Sequence, residues 1–97
     1  MNRTETAPGS QGLQQVYLLD RDAGLLCRIL GLYASRGLAV LRVHYTYAAQ
    51  SVMRLDVGLA DESPDTADAI RVLVAKASNF VGVLAAAEHA SEQRRAA

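Results

Sequence analysis

Apolar and polar positions along the chain fall into six blocks, four with the pattern of a strand and two with that of a helix. Residues 13–19 form a short run with aromatic and β-branched members that stops at a polar cluster, which predicts a first strand. Residues 39–48 and 52–60 each alternate apolar and polar side chains with a period of two, the pattern of half-buried strands. Because few residues separate these two runs, they predict a hairpin, and residues 80–88 predict a last strand.

The first helical block follows Gly24 and carries an apolar stripe on one face. The stripe residues, spaced i, i+3, i+4 and i+7, are Leu26, Ile29, Leu30 and Tyr33. Asp22 is placed to cap the start of this helix, and Gly37 to close its end in a left-handed conformation. Leu25 and Leu32 lie beside the stripe and widen it, which predicts that the helix contacts a second partner besides its own sheet.

The second helical block starts with Ser63 as its N-cap and Pro64 at the first helical position. Its stripe residues, with the same spacing, are Ile70, Leu73, Val74 and Ala77. The resulting order predicts an α+β fold, the ferredoxin-like plait (βαββαβ), an antiparallel four-stranded sheet with two helices on one face. The folded domain is expected at residues 13–89, with flexible polar tails at residues 1–12 and 90–97.

Charge and cysteine content narrow the function of the chain. Ten basic and ten acidic side chains balance to a formal net charge of zero, which argues against nucleic-acid or anionic-membrane partners. Cys27 is the single cysteine, so an internal disulfide is excluded and a zinc or iron–sulfur site is not expected. The chain shows neither a secretion signal nor a run of about 18 apolar residues, and we expect a cytoplasmic protein.

Several functions that occur on this fold require residues that the sequence lacks. A metal chaperone needs two cysteines in its first loop, and only Cys27 lies near that loop. An RNA-recognition domain needs aromatic rings on its central strands, and residues 52–59 contain none. An acylphosphatase-like enzyme needs a donor-rich phosphate loop, whereas residues 20–24 are acidic and contain one glycine.

A small enzyme that uses His44 and Asp56 is a further alternative, because the hairpin places them on one polar face with Arg42 and Arg54. No nucleophile accompanies them, and a mixed polar face of an antiparallel sheet is usually a solvated or partner surface. We therefore expect no catalysis and no cofactor. Cys27 is expected to be a small packing residue.

Residues 20–40 resemble the first loop and helix of the ACT domain, the small-molecule-sensing plait of amino-acid metabolism. The segment is most similar to the small regulatory subunit of acetolactate synthase, with the pattern E-N-x-x-G-A-L-x-R-x-x-G-L-F-x-x-R-G-Y-N-I. The positions that match in register are Gly24, Leu26, Arg28, Gly31, Leu32, Arg36 and Gly37, with Tyr33 in place of phenylalanine. Residues 80–88 are similar to the last strand of that family, V-x-V-L-x-V-x-E.

The resemblance implies a non-catalytic regulatory protein that binds and modulates the catalytic subunit of acetolactate synthase in branched-chain amino-acid biosynthesis. It also implies an amino-acid effector at a dimer interface, between the first loop of one chain and strand-end residues of the other. The corresponding positions are Asp20, Arg21, Asp22, Ala23, Gly24, Leu25, Leu26 and Ala39. An open edge strand in such a sheet tends to pair with a copy of itself, which also predicts a homodimer.

Backbone amides at the start of the first helix, helped by the helix dipole, suit the carboxylate of such an effector, and Gly24 lets it approach. Asp20 or Asp22 would face its ammonium group. An aspartate before a helix is also commonly no more than the N-cap, so both interpretations of Asp22 are kept. Arg21 and Ala39 stand where the family pattern has asparagine. The alternatives are therefore a stand-alone ACT module for another metabolite, such as an acidic one, or a partner-binding module with a lost effector site.

Overall fold

The computed structural model describes residues 13–60 and 63–89. The elements in chain order are β1 (Leu13–Asp20), α1 (Ala23–Ser35), β2 (Val40–Ala49), β3 (Val52–Leu59), α2 (Pro64–Ala77) and β4 (Val83–His89). This order confirms the predicted βαββαβ arrangement. The tails predicted at residues 1–12 and 90–97 lie outside the described residues.

The four strands form one antiparallel sheet in the order β2-β3-β1-β4. β1 is central and pairs with both β3 and β4, while β2 and β4 are the edge strands. The predicted hairpin is confirmed by the pairing of β2 with β3, which is irregular near both ends of β2. The ferredoxin-like plait predicted from the sequence is therefore the fold of this chain.

Both helices begin at the predicted residues, and α1 also ends where predicted, because side chains and a glycine satisfy these ends. Asp22 Oδ1 accepts a hydrogen bond of 2.9 Å from the Gly24 amide, and Ser63 Oγ accepts one of 3.2 Å from the Thr66 amide. Gly37 adopts φ +68°, the left-handed conformation that commonly follows a helix. The two helices pack on one face of the sheet through their buried apolar residues.

The core lies between that face and the two helices. All four stripe residues predicted for α2 are buried in it. Its buried apolar residues are Tyr17, Leu19, Leu25, Ile29, Tyr33, Leu55, Val57, Leu59, Ile70, Leu73, Val74 and Ala77. The stripe predicted for α1 is shifted, because Leu25 is buried whereas Leu26 and Leu30 only border the core. Cys27, predicted to be a packing residue, is exposed. The buried face of α1 is thus rotated slightly about the helix axis relative to the stripe predicted from the sequence.

The helices cover the helix-facing side of the edge strand β2 only in part. Val43 and Tyr47 lie opposite Val57 and Met53, on the helix side of the sheet, yet they are 40% and 62% exposed. Leu41 falls in the irregularity between Val40 and Arg42 and is also exposed. The alternation of β2 therefore predicted the facing of these side chains but not their burial, because β2 is an edge strand.

A short polar chain crosses the core between β1 and α1. The Tyr17 and Tyr33 hydroxyls are 2.7 Å apart, and the Tyr33 hydroxyl donates to Gln15 Oε1 at 2.8 Å. Gln15 is fully buried, and its Nε2 has no hydrogen-bond partner among the described residues. Burial raises the pKa of Tyr17 to about 12, the hydrogen bond with Tyr33 partly opposes this, and Glu88 adds to it. Burial also strongly raises the pKa of Tyr33.

Candidate functional site at the first loop

The loop between β1 and α1 carries most of the predicted site residues and lies at one end of the sheet. Asp20, the last residue of β1, pairs with Val52, the first residue of β3, so the hairpin turn lies beside this loop. The Arg21 amide donates to the Ser51 carbonyl at 2.9 Å, and the Asp20 amide donates to the Gly82 carbonyl at 2.8 Å. The loop is thus tied to two neighbouring connections of the chain.

The connection from α2 to β4 braces the start of α1 by close packing. Gly82 adopts φ +99°, and a Cβ at this position would lie 2.9 Å from Leu25 Cδ2. The Arg28 guanidinium lies 4.5 Å from the centre of the Phe80 ring, a cation–π contact. Sequence reasoning missed Ser51 and Gly82 as supports of the loop. Gly82 lies inside the run of residues 80–88 that predicted the last strand, and the strand begins only after it, at Val83, so this glycine is a usable signal, whereas nothing in the sequence marks Ser51.

The predicted backbone donors are largely occupied by Asp22. The Gly24 amide donates to its carboxylate, and the Leu25 and Leu26 amides donate to its carbonyl at 3.0 and 3.2 Å. The interpretation of Asp22 as an N-cap is therefore confirmed. An effector carboxylate at this helix terminus would compete with the Asp22 side chain for the Gly24 amide.

The charged side chains of the loop remain open to solvent. Asp20, Arg21 and Asp22 are all exposed. Within residues 13–60 and 63–89, no ion pair joins Arg21 to either aspartate. The loop consequently offers one cation and two carboxylates on a braced backbone. These charges are complementary to those of a zwitterionic ligand.

Within one copy of the chain, Ala39 lies at the opposite end of the sheet from the first loop. It precedes Val40, which pairs with Leu59, and Leu59 also pairs with Leu13 at the start of β1. α1 separates it from the first loop, and its 13 residues span about 20 Å. One copy of the chain therefore brings residues 20–26 together but does not bring Ala39 to them.

The polar face predicted for the hairpin is present, but its aspartate forms a hydrogen bond with an arginine and not with the histidine, as a catalytic dyad would require. His44 and Asp56 are cross-strand neighbours, while the Asp56 carboxylate accepts from Arg54 Nε at 3.0 Å. This hydrogen bond raises the pKa of Arg54. Within the described ranges, no three histidine, cysteine, aspartate or glutamate side chains cluster as metal ligands. Neither helix in those ranges combines the length and apolarity required to cross a bilayer.

No protein-family profile and no curated protein matches the chain. Solved structures match it in fold. The C-terminal domain of the MgtC protein from Mycobacterium tuberculosis superposes with a TM-score of 0.65 at 19% identity, covering 90% of this chain and 93% of that one. The ACT domain from GTP pyrophosphokinase of Chlorobium tepidum gives a TM-score of 0.60 at 11% identity, and the match covers 79% of this chain and 95% of that one.

The regulatory subunit of aspartate kinase from Thermus flavus gives a TM-score of 0.57 at 15% identity, covering 82% of this chain and 52% of that one. At these identities the likeness concerns the fold. The chain shares its ferredoxin-like fold with ACT domains.

Proposed function

We propose that this chain is a non-catalytic, cytoplasmic regulatory module of the ACT type that binds and modulates a larger enzyme. The candidate enzyme is acetolactate synthase, because residues 20–40 resemble its small subunit. The observation that carries the proposal is the first loop, whose exposed Asp20, Arg21 and Asp22 stand on a backbone braced by Ser51 and Gly82. A rigid loop with charges of both signs suits recognition of a small zwitterion more than catalysis.

The proposed module is a homodimer that pairs through β2. Support comes from two exposed apolar side chains on the helix-facing side of this edge strand, those of Val43 and Tyr47. A second copy of the chain would cover them. A two-fold axis at this edge would join the sheets of two copies. It is also the arrangement that would let Ala39 of one copy approach the first loop of the other.

Sedimentation velocity at micromolar concentration tests the dimer. The wild-type chain should sediment as a dimer, and Val43→Lys should convert it to a monomer by placing a charge in the buried seam. Val72→Lys is the matched control, because Val72 is 57% exposed on α2, away from β2, and this variant should remain a dimer. A wild-type monomer, or loss of the dimer in Val72→Lys alone, contradicts the pairing through β2.

An amino-acid effector is proposed at the first loop, with its carboxylate at the start of α1 and its ammonium group at Asp20. Thermal-shift titration with the twenty amino acids identifies it, since a ligand at about 100 times its dissociation constant adds roughly 2.7 kcal/mol of stability. Asp22→Asn keeps the N-cap and removes the competing charge, so it should strengthen binding of the carboxylate. Gly24→Asp should weaken the response, because it adds a second carboxylate beside that of Asp22 at the helix start where the effector carboxylate would bind.

Gly31→Asp is the matched control for Gly24→Asp. Gly31 lies on the same helix, and a Cβ there meets nothing within 4 Å. This variant should carry the same added charge and keep the thermal response. If both variants lose the response equally, the effector does not bind at the first loop.

A second candidate function is a partner-binding module without an effector. It is favoured by the occupation of the helix terminus by Asp22, together with Arg21 and Ala39 at the two positions where the family pattern has asparagine. Co-purification with the thiamine-dependent catalytic subunit of acetolactate synthase separates the possibilities. A complex that forms without any thermal response to amino acids supports this second function. A response to one metabolite without a complex supports a stand-alone sensing module.

A further inference from the structure

The sheet face opposite the helices, termed the open face, bears side chains from all four strands. On β1 it is formed by the residues that pair with Gly58, Asp56 and Arg54 of β3. No helix of the described residues covers this face, because both helices lie on the other side. An uncovered sheet face with apolar side chains is a surface where another layer of structure can pack.

The open face has an apolar strip along β1 and β4. The strip residues are Val16, Leu18, Ala85 and Ala87, which pair across the two strands. Ala85 and Ala87 are exposed and small, so a partner backbone can approach closely, while Leu84 is 56% exposed at the nearby irregularity. Two neighbouring strands span roughly 10 Å, which is the diameter of an α-helix.

A charged row runs along β3 beside that strip. Arg54 and Asp56 form an ion pair and lie next to Leu18 and Val16 respectively. The Arg42 side chain reaches from β2 over Gly58, where an added Cβ would lie 2.8 Å from its Nη2. The missing side chain of Gly58 therefore leaves room for this guanidinium on β3. Among residues 13–60 and 63–89, no carboxylate forms an ion pair with Arg42.

We propose that the open face binds an amphipathic, acidic helix of the enzyme that this module regulates, an inference that rests on the proposed function. The apolar side of that helix packs on the strip of β1 and β4. Its acidic flank meets Arg54 and Arg42. From Arg54 to Gly58 the strand advances roughly 13 Å. Two turns of a helix, which return a side chain to the same flank, advance about 11 Å, so carboxylates about two turns apart come within side-chain reach of both arginines.

Charge distinguishes this partner from a second copy of the chain. If two open faces stacked about a two-fold axis perpendicular to the strands, with their apolar strips in contact, the two charged rows would face each other. Each row holds Arg42, Arg54 and Asp56 and is net positive, so the rows would repel. A negatively charged helix instead gives Arg42 the carboxylate that it lacks within the described chain.

The probe for this inference is an amidated peptide of about 14 residues with leucine and alanine on one face and glutamates about two turns apart on its flank. The full-length chain is titrated with the labelled peptide, and binding is followed by fluorescence anisotropy and by amide chemical shifts. The expected result is saturable binding with shifts concentrated at Val16, Leu18, Ala85 and Ala87. A peptide with lysine in place of the glutamates should bind at least tenfold more weakly.

Two variants test the charged row. Arg42→Ala should weaken peptide binding by about tenfold, the effect of losing a charged hydrogen bond. Gly58→Ala keeps the charge but displaces the flexible end of Arg42, and it should weaken binding as well. Arg71→Ala is the matched control on α2, where the Arg71 side chain is 65% exposed, and it should bind as the wild type does.

The inference is overturned if the acidic peptide does not bind, if the lysine peptide binds equally well, or if the shifts lie on the helices. It is equally overturned if Arg42→Ala binds with unchanged affinity. Neither the oligomeric state nor the response to amino acids enters these measurements. A failure of the proposed function in those assays is therefore distinguishable from a failure at the open face.

Discussion

Removing the Tyr33 hydroxyl should destabilise the protein, and a second substitution at Gln15 should restore much of the loss. The Tyr33 hydroxyl is the middle member of the buried chain, since it contacts the Tyr17 hydroxyl at 2.7 Å and donates to Gln15 Oε1 at 2.8 Å. Tyr33→Phe leaves the Tyr17 hydroxyl and both polar atoms of the Gln15 amide without partners. Gln15→Leu removes that amide and replaces it with an apolar side chain of similar size.

The magnitude follows from the groups left unpaired. Tyr33→Phe removes two hydrogen bonds, each worth about 1 kcal/mol net, and orphans further buried groups, so a loss of roughly 2–4 kcal/mol is expected. Gln15→Leu alone should be within about 1 kcal/mol of neutral, because it deletes one hydrogen bond but also the already unpaired Nε2. In the Tyr33→Phe background, Gln15→Leu should regain roughly 1–3 kcal/mol, since the amide then has no partner at all.

Urea-induced equilibrium unfolding at pH 7, followed by far-ultraviolet circular dichroism, measures these differences. The comparison is valid where the variants share the denaturant dependence of the wild type. The double variant should be more stable than Tyr33→Phe. If it is less stable, Gln15 is satisfied in solution by a group such as a buried water, and the assignment of Nε2 as unpaired is wrong.

Three further predictions concern pH, a loop and a helix cap. The pKa of Tyr17 is raised from 10.0 to about 12, so the folded state keeps protons that the unfolded state loses. The free energy of unfolding should therefore fall as the pH rises above about 10, and by less in Tyr17→Phe, as measured by urea unfolding between about pH 8 and 11. Gly82→Ala should cost roughly 1–3 kcal/mol because of its φ of +99° and its contact with Leu25, whereas Gly31→Ala should gain up to about 1 kcal/mol in an open helix position. Calorimetric Tm values showing equal effects at the two glycines would refute the packing argument. Asp22→Ala should lower stability by about 1 kcal/mol through loss of the N-cap, and an unchanged Tm would contradict that role.

The order of helices and strands was predictable because the residues that mark helix ends fall where the spacing of apolar residues changes from that of a strand to that of a helix. Asp22, Ser63 with Pro64, and Gly37 mark helix ends by chemistry that acts within a few residues. The burial of β2 was not predictable in the same way. A period of two tells which side chains share a face, but whether a helix covers that face depends on the position of the strand in the sheet.

The candidate site shows the same division between local and long-range information. The loop residues are contiguous in sequence, so their grouping and the capping role of Asp22 could be inferred. The supports from Ser51 and Gly82 come from distant segments, and the separation of Ala39 from the loop follows from the direction of α1. The unpaired Gln15 amide also escapes sequence analysis, because nothing in the alternation of β1 distinguishes a buried glutamine from an exposed one.

The pairing of Gln14 with His89 has a consequence for how the chain acquires its structure. The central strand is made first and finds one of its two neighbours only among the last residues of the sheet. Such distant pairing slows folding, since the chain must lose the entropy of closing a long loop before the strand contacts can form. During synthesis the nascent polypeptide must therefore leave the ribosome nearly to residue 89 before β1 is protected on both edges.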